Sequence, residues 1–430
     1  MTRIWYIMKW GLAISSLGMA VPPAAAQSPA PVRTPIPASL PSWDQQLDLL
    51  KGIGDELAAE SGRLDPPERK QEMYRYVMGA VADGWLHYVM QDPARPTWMP
   101  EWNYALNYGG PNPDYAYKHT LVDPKGIYRI SGYRGTSLFV EITQQIPEFL
   151  TPFVNGKPQA PSPGTWDLDM LKIGKDGYFS VILSAERPVG YTGDWWPLSP
   201  KTHSLLMRQT QYDWSHEQDP RIAIVRLDPA QPAGPAEISR RIGTLREYTT
   251  SLIHAGMWLT RWYRDHVGVN TIKISPIMTA TLPFPGQVYL DGAFQIKDDE
   301  ALILETPVPD KCRYWQILLA DDRFATIDWV NRQANLNGFT ARRDSDGKFR
   351  AVIAARDPGV PNWLDTAGEP WGIIQMRWNH CSSNPEPIVR KVAFAEVRKN
   401  LPADTPVVTA EQRHAILLKR WESAQFRRLW

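Results

Sequence analysis

Asp365 and Arg377 are a carboxylate and a guanidinium that could serve as a base and its partner, or as a base beside an anion clamp. Asn362 and Trp363 precede the aspartate in the run DPGVPNWLDT, where Asp357, Pro358, Gly359 and Pro361 make a tight turn. Loops at the mouth of a β domain carry chemistry, and there Asn362 and Trp363 would touch a substrate. The run reads equally as a fixed turn, because Asp and Asn side chains bond back to nearby amides.

A second group is Asp114, Tyr115 and Tyr117, introduced by Pro113. In a strand the two tyrosines lie on one face, since side chains alternate with period two. Paired phenols can hold a polar substrate group, with Asp114 as a catalytic candidate that can equally cap a turn; the tyrosines serve as well as core residues with satisfied hydroxyls. His203, Tyr212 and His216 are candidate proton-transfer groups, because histidine titrates near neutrality; a lone histidine is also a common structural residue. Trp195 and Trp196, between Gly193 and Pro197, suggest an aromatic binding surface in a loop. Arg129 and Trp315 complete the substrate-binding candidates.

Other chemistries find no support. The sequence has no GxSxG elbow, no GxxxxGK[ST] loop, no HExxH and no GxGxxG opening a helix. No histidine pair has metal-ligand spacing and no phosphate-cradling loop is present, so neither a metal nor a nucleotide cofactor is expected. With 47 basic and 46 acidic residues, and no block of like charge, the basic footprint of a nucleic-acid binder is missing. The load of 19 tryptophans and 17 tyrosines points to large sheet-to-sheet cores, or to a pocket for a flat, aromatic or apolar small molecule.

The elements that would position these residues follow from periodicity. Residues 1–26 have a basic start (Arg3, Lys9), a short apolar run and a small-residue site at Ala24–Ala26, the pattern of a secretory signal peptide. Export to the periplasm is therefore expected. A Pro-rich spacer follows over 27–41. Cys312 and Cys381 would then meet an oxidising compartment, where they either pair or stay buried. Residues 42–98 carry two helical patterns, 42–59 and 67–90. Residues 99–234 read as short strands separated by turns such as DPKG and GKDG. Residues 235–268 read as one long helix, apolar on more than one side, that packs between two β regions. The second region, 269–400, has its clearest strands at YWQILLA, ATIDWV, GFTAR and FRAVIAA. The locally basic tail, 401–430, reads as an amphipathic helix packed on the body rather than on a membrane. No apolar run long enough to span a bilayer follows the leader, so no stable membrane insertion is expected. No exact internal repeat is visible, and the oligomeric state is open.

Several segments resemble a family. NPDYAYKHTLVDPKGIYRISGYRG, HSLLMRQTQYDW with RIAIVRL, ALILETPVPDKCRYWQILLAD, WVNRQANLN and RDPGVPNWLDTAGEPWGIIQMRW resemble the bacterial domain-of-unknown-function family 1214. A related arrangement, the paired 1254/1214 proteins, joins this domain to another β domain. The resemblance implies jelly-roll-like or sandwich β regions with accessory helices, and little about activity. The fold class expected is thus mostly β: two β regions flanking a long helix, with a helical N-terminal segment and a C-terminal helix.

Three functions from different classes fit. The first is a cofactor-free enzyme acting on an aromatic or apolar small molecule, in a concrete version a lyase that releases formaldehyde from a lignin-type aromatic dimer. The second is a periplasmic small-molecule or carbohydrate-binding protein using a tryptophan platform. The third is a structural or interaction module without a catalytic site.

Overall fold

The structure, a computed structural model, describes residues 41–62, 67–146, 162–281, 284 and 286–429. The leader reading, all but the last residue of the spacer, and Trp430 lie outside these residues. Strands of the first β region are β1 (Met99–Pro100), β2 (Tyr115–Leu121), β3 (Tyr128–Tyr133), β4 (Phe139–Gln145), β5 (Thr165–Asp167), β6 (Tyr178–Ser184), β7 (Asp194–Pro197), β8 (Ser204–Thr210) and β9 (Arg221–Arg226). Those of the second are β10 (Lys273–Ile274), β11 (Gln287–Gln295), β12 (Glu300–Pro307), β13 (Cys312–Ala320), β14 (Asn335–Asn337), β15 (Lys348–Ala354), β16 (Trp363–Asp365), β17 (Trp371–Cys381) and β18 (Ile388–Ala393).

Each region is a sandwich of two sheets, and the two sandwiches have the same topology. The first has sheets ordered β1-β2-β8-β4-β5 and β7-β6-β3-β9; the second has β10-β11-β17-β13-β14 and β16-β15-β12-β18. The correspondence extends to the parallel pairing of β6 with β7 and of β15 with β16. The chain therefore contains a duplicated fold that its residues conceal.

Strand alternation builds both cores. Val140, Ile142, Leu205 and Met207 point from the first five-stranded sheet toward Tyr128, Ile130, Val181 and Leu183 of its partner sheet. Likewise Leu290, Ile317, Ile374 and Met376 meet Leu302, Leu304, Ala351 and Ile353. The opposite faces of the two five-stranded sheets turn toward each other. Tyr115, Tyr117, Phe139 and Leu206 of the first cluster there with Tyr314 of the second. Cys312 and Cys381 face each other across β13 and β17 and form a disulfide.

The helices are α1 (Trp43–Asp48), α2 (Ile53–Ser61), α3 (Pro67–Gly84), α4 (Pro235–Gly243), α5 (Leu245–Trp262), α6 (Pro276–Thr281) and α7 (Ala410–Phe426). Capping boxes start two of them, Ser42 with Gln45 on α1 and Thr409 with Gln412 on α7. Among the described residues none is long and apolar enough to cross a membrane. The single helix expected over 235–268 is broken: α4 ends at Gly243, Thr244 adopts φ −93° and ψ 0°, and a π turn, Tyr263–Val267, follows α5. Leu252, Ile253 and Met257 of α5 pack on α2 and α3, while Leu259 near its end and Tyr263 of the π turn reach β11, β13 and β17.

Two expected strands are loops. ATIDWV contributes only an isolated bridge at Thr326, because Asp328 takes the amides of Val330 and Asn331 and closes a turn. GFTAR turns because Asn337 accepts the amides of Phe339 and Thr340.

Candidate active site

A pocket of about 530 Å³ lies over the end of the first five-stranded sheet that the second sandwich leaves uncovered. Its floor is His119, Leu121, Gln145 and Ser204; its walls come from the π turn after α3, from α4 and α5, and from Trp102 and Tyr108. The close crossing of α3 and α5 sets the geometry. A Cβ at Gly84 would meet Leu245 Cδ1 at 2.6 Å and Tyr248 Cδ1 at 2.8 Å, so only glycine lets the helices approach this far. The π turn Trp85–Val89 then carries His87 into the pocket wall, a distortion often found at functional sites.

The buried groups here are titratable. His87 Nδ1 lies 2.7 Å from Asp83 Oδ1, and its Nε2 donates to the Pro100 carbonyl at 2.8 Å. Both ring nitrogens face oxygens, so the ring is an imidazolium. Burial opposes that charge, but Asp83, then Glu101 and the Pro100 carbonyl, outweigh it and hold His87 up to about 9. Tyr248 donates to the other Asp83 oxygen at 2.8 Å. Burial pushes the Glu101 carboxyl up to about 8, with Asp83 adding and His87 opposing. Glu101 is thus a neutral acid at pH 7, and its Oε2 is buried without a hydrogen-bond partner. His119, 4.7 Å from the His87 ring between centroids, is driven well down by burial and by His87. Gln91 Nε2 stands 3.1 Å from His119 Nδ1 while Gln91 Oε1 accepts from Leu121 N; Nδ1 must therefore accept, and Nε2 carries the proton. His203 sits exposed at the mouth.

Of the residues singled out in sequence, His203 alone lines this pocket. Asp114, Tyr115, Tyr117, Tyr212 and Arg377 gather instead between the sandwiches. Asp114 accepts from Tyr314 Oη (2.8 Å), Asn337 Nδ2 (2.9 Å) and Trp214 Nε1 (3.0 Å), so it pins the two sandwiches together. Burial raises its pKa against those hydrogen bonds and the charge of Arg427. Tyr212 Oη accepts from the Trp315 amide at 2.6 Å, and the Trp315 ring packs against Phe349 and Trp378 in the second core.

The DPGVPNWLDT group lies apart from both places. Asn362 bonds the backbone of Arg342 twice and of Arg350 once. Trp363 is buried and donates to the Ala354 carbonyl at 3.0 Å. Asp365 pairs with Arg332 at 2.9 Å and accepts the Ala367 amide. Arg332 lines a larger cavity of about 830 Å³ between α3 and α7, whose charged walls neutralise one another, as in the Arg323–Asp321 pair. Trp195 occupies the position in the first sandwich that Trp363 holds in the second, and donates to Ser184 at 3.0 Å. Trp196 stacks on Trp166 at 5.0 Å inside the first core. Arg129 is exposed on the outer sheet, and His216 pairs with Asp213 at 2.6 Å on the surface.

Sequence reasoning missed Asp83, His87, Glu101 and His119. Asp83 and His87 at i and i+4 were a findable signal, a carboxylate one turn from an imidazole on a single helix face. Glu101 gives none, since it lies in the loop between β1 and β2.

Residues 293–378 match the model of a family described as "Protein of unknown function (DUF1214)". A crystal structure of an uncharacterised protein from Burkholderia cenocepacia is similar at 28% identity and a TM-score of 0.74, over 82% of this chain and 97% of that one. A Vibrio parahaemolyticus protein aligns at 10% identity and a TM-score of 0.41, over 79% of this chain and 100% of that one. No curated protein matches the chain.

Proposed function

We propose that this protein, which belongs to the DUF1214 family through residues 293–378, is a cofactor-free acid–base enzyme acting on a hydroxylated small molecule with an aromatic or apolar body. The observation that carries this reading is Glu101, a buried carboxyl held neutral at pH 7 beside the His87–Asp83 pair in a pocket walled by Trp102, Tyr108 and Tyr248. His119 Nε2 would donate to a substrate oxygen, and His203 at the mouth would accept a proton.

As a lyase on a 1,2-diarylpropane-1,3-diol, these roles balance. His203 takes the proton of the primary hydroxyl. The adjacent C–C bond breaks and formaldehyde leaves. The electron pair forms a double bond conjugated with both rings, and the other hydroxyl takes the Glu101 proton and departs as water. A tryptophan-platform binding protein is less well supported, because Trp196 is stacked in a core and Trp195 is hydrogen-bonded to a strand. Incubating the protein with such a diol should release formaldehyde, and Glu101→Gln and His203→Ala should each cut the rate by about 10²–10⁴-fold with folding intact. Binding without turnover, or full turnover by Glu101→Gln, would overturn the reading.

We also infer a periplasmic location. The leader pattern and the disulfide support it. The secreted form should begin near Gln27 on N-terminal sequencing, and an intact Met1 in the cytoplasm would count against it.

A further inference from the structure

Duplication of the sandwich places the same row of side chains on both sides of the seam between them. On the first sheet Tyr117, Arg208 and Glu141 stand side by side on β2, β8 and β4. At the equivalent strands of the second sheet stand Tyr289, Arg377 and Gln316. Both rows are buried. Arg208 has its counter-ion built in, with Glu141 Oε2 at 2.7 Å. Arg377 has a glutamine where Arg208 has that glutamate.

The difference leaves Arg377 with no carboxylate beside it in its own row. Arg377 Nη2 donates to Gln375 Oε1 and to the Gly110 carbonyl, while Nε and Nη1 have no partner. Both amide atoms of Gln316 and of neighbouring Asn379 are buried and unpartnered too. Asp291, one row along the same face, is engaged by Gln375 Nε2 at 2.8 Å and reaches Arg377 through that glutamine, whose Oε1 accepts from Arg377 Nη2. Donors and acceptors this close in one face that do not bond each other leave hydrogen-bonding capacity open in the seam. Tyr289 and Tyr115 rings lie 5.3 and 5.9 Å from the Arg377 guanidinium and flank it. Leaving such a charge uncompensated is costly, and supplying an anion removes the cost.

We propose that Arg377 and Gln316, between Tyr115 and Tyr289, form a site for the carboxylate of a small organic acid, which takes the place that Glu141 fills beside Arg208. The site is separate from the Glu101 pocket, with Trp102 packed against Tyr117 between them at 5.2 Å.

The test uses the full-length protein titrated with sodium acetate and sodium benzoate against sodium chloride at equal ionic strength, read by calorimetry and tyrosine difference absorbance. The wild type should show saturable carboxylate binding that chloride does not reproduce. Gln316→Glu, which gives Arg377 an internal counter-ion, should weaken binding by roughly tenfold or more while its melting temperature matches or exceeds the wild type. Arg377→Met should also lose binding, and decides the matter if Gln316→Glu fails to fold. No saturable carboxylate signal from the folded wild type, or equal binding by Gln316→Glu, would overturn the proposal.

Discussion

Glutamine in place of Glu101 isolates the group on which the functional reading depends. The folded carboxyl titrates near 8 against 4.5 unperturbed, because burial and Asp83 disfavour its charge. Between those values the folded state holds a proton that the unfolded state has released, so stability falls as pH rises through the window. At 1.36 kcal/mol per tenfold change, the full effect is about 4–5 kcal/mol, present below the lower value and lost by about pH 8. His87 acts in the same direction over a later window: its pKa rises from 6.5 to about 9, so its contribution is intact below 6.5 and gone above 9. The wild type should therefore lose stability steadily from pH 5 to 9. Glu101→Gln cannot ionise and should lose only the His87 part. Urea unfolding at one-unit intervals should find the two proteins within about 1 kcal/mol at pH 5, and the variant ahead by about 4 kcal/mol at pH 9. Equal slopes for both would mean that Glu101 is already ionised at neutrality, and the acid role would fall with it.

Asn362→Ala removes three backbone hydrogen bonds from buried ground, and should cost about 2–3 kcal/mol in chemical unfolding without altering turnover per folded molecule. Reducing the Cys312–Cys381 bond, which spans a sequence separation of 69, should lower stability by about 4 kcal/mol on the chain-entropy account. A reduced protein that unfolds at the same urea concentration would show that strand pairing alone fixes this edge. His119→Phe should preserve the fold and slow turnover, since its role is to donate from Nε2 into the pocket; an unchanged rate would remove it from the mechanism.

Alternation of apolar and polar residues made the sandwiches legible, since one side of each strand had to be buried. It gave YWQILLA and FRAVIAA their strands, and short strands separated by turns, with the family resemblance, pointed to the mostly β fold with accessory helices. The tail read as a helix does form α7, which a capping box at Thr409 starts. The failures were local. ATIDWV and GFTAR have the right apolar content, but Asp328 and Asn337 bind the amides that a strand would have used.

What sequence could not supply was the fate of the polar faces. Gln375, Arg377 and Asn379 alternate with Ile374, Met376 and Trp378, and such a strand ordinarily shows its polar side to water. Here both sides are buried, because the second five-stranded sheet lies between its own partner sheet and the first sandwich. The motif residues Trp195 and Trp363 looked like ligands, yet each seals the same corner of a duplicated fold through one indole hydrogen bond. Residues fixed the strands and their apolar faces through nearest-neighbour physics. Which strand lay beneath which helix, and so which carboxyl lost its water, was decided by packing between segments far apart in the chain. That is why Glu101 passed unmarked in a loop, and why Arg377, read as a partner of Asp365, lies apart from it in the seam while Asp365 pairs with Arg332.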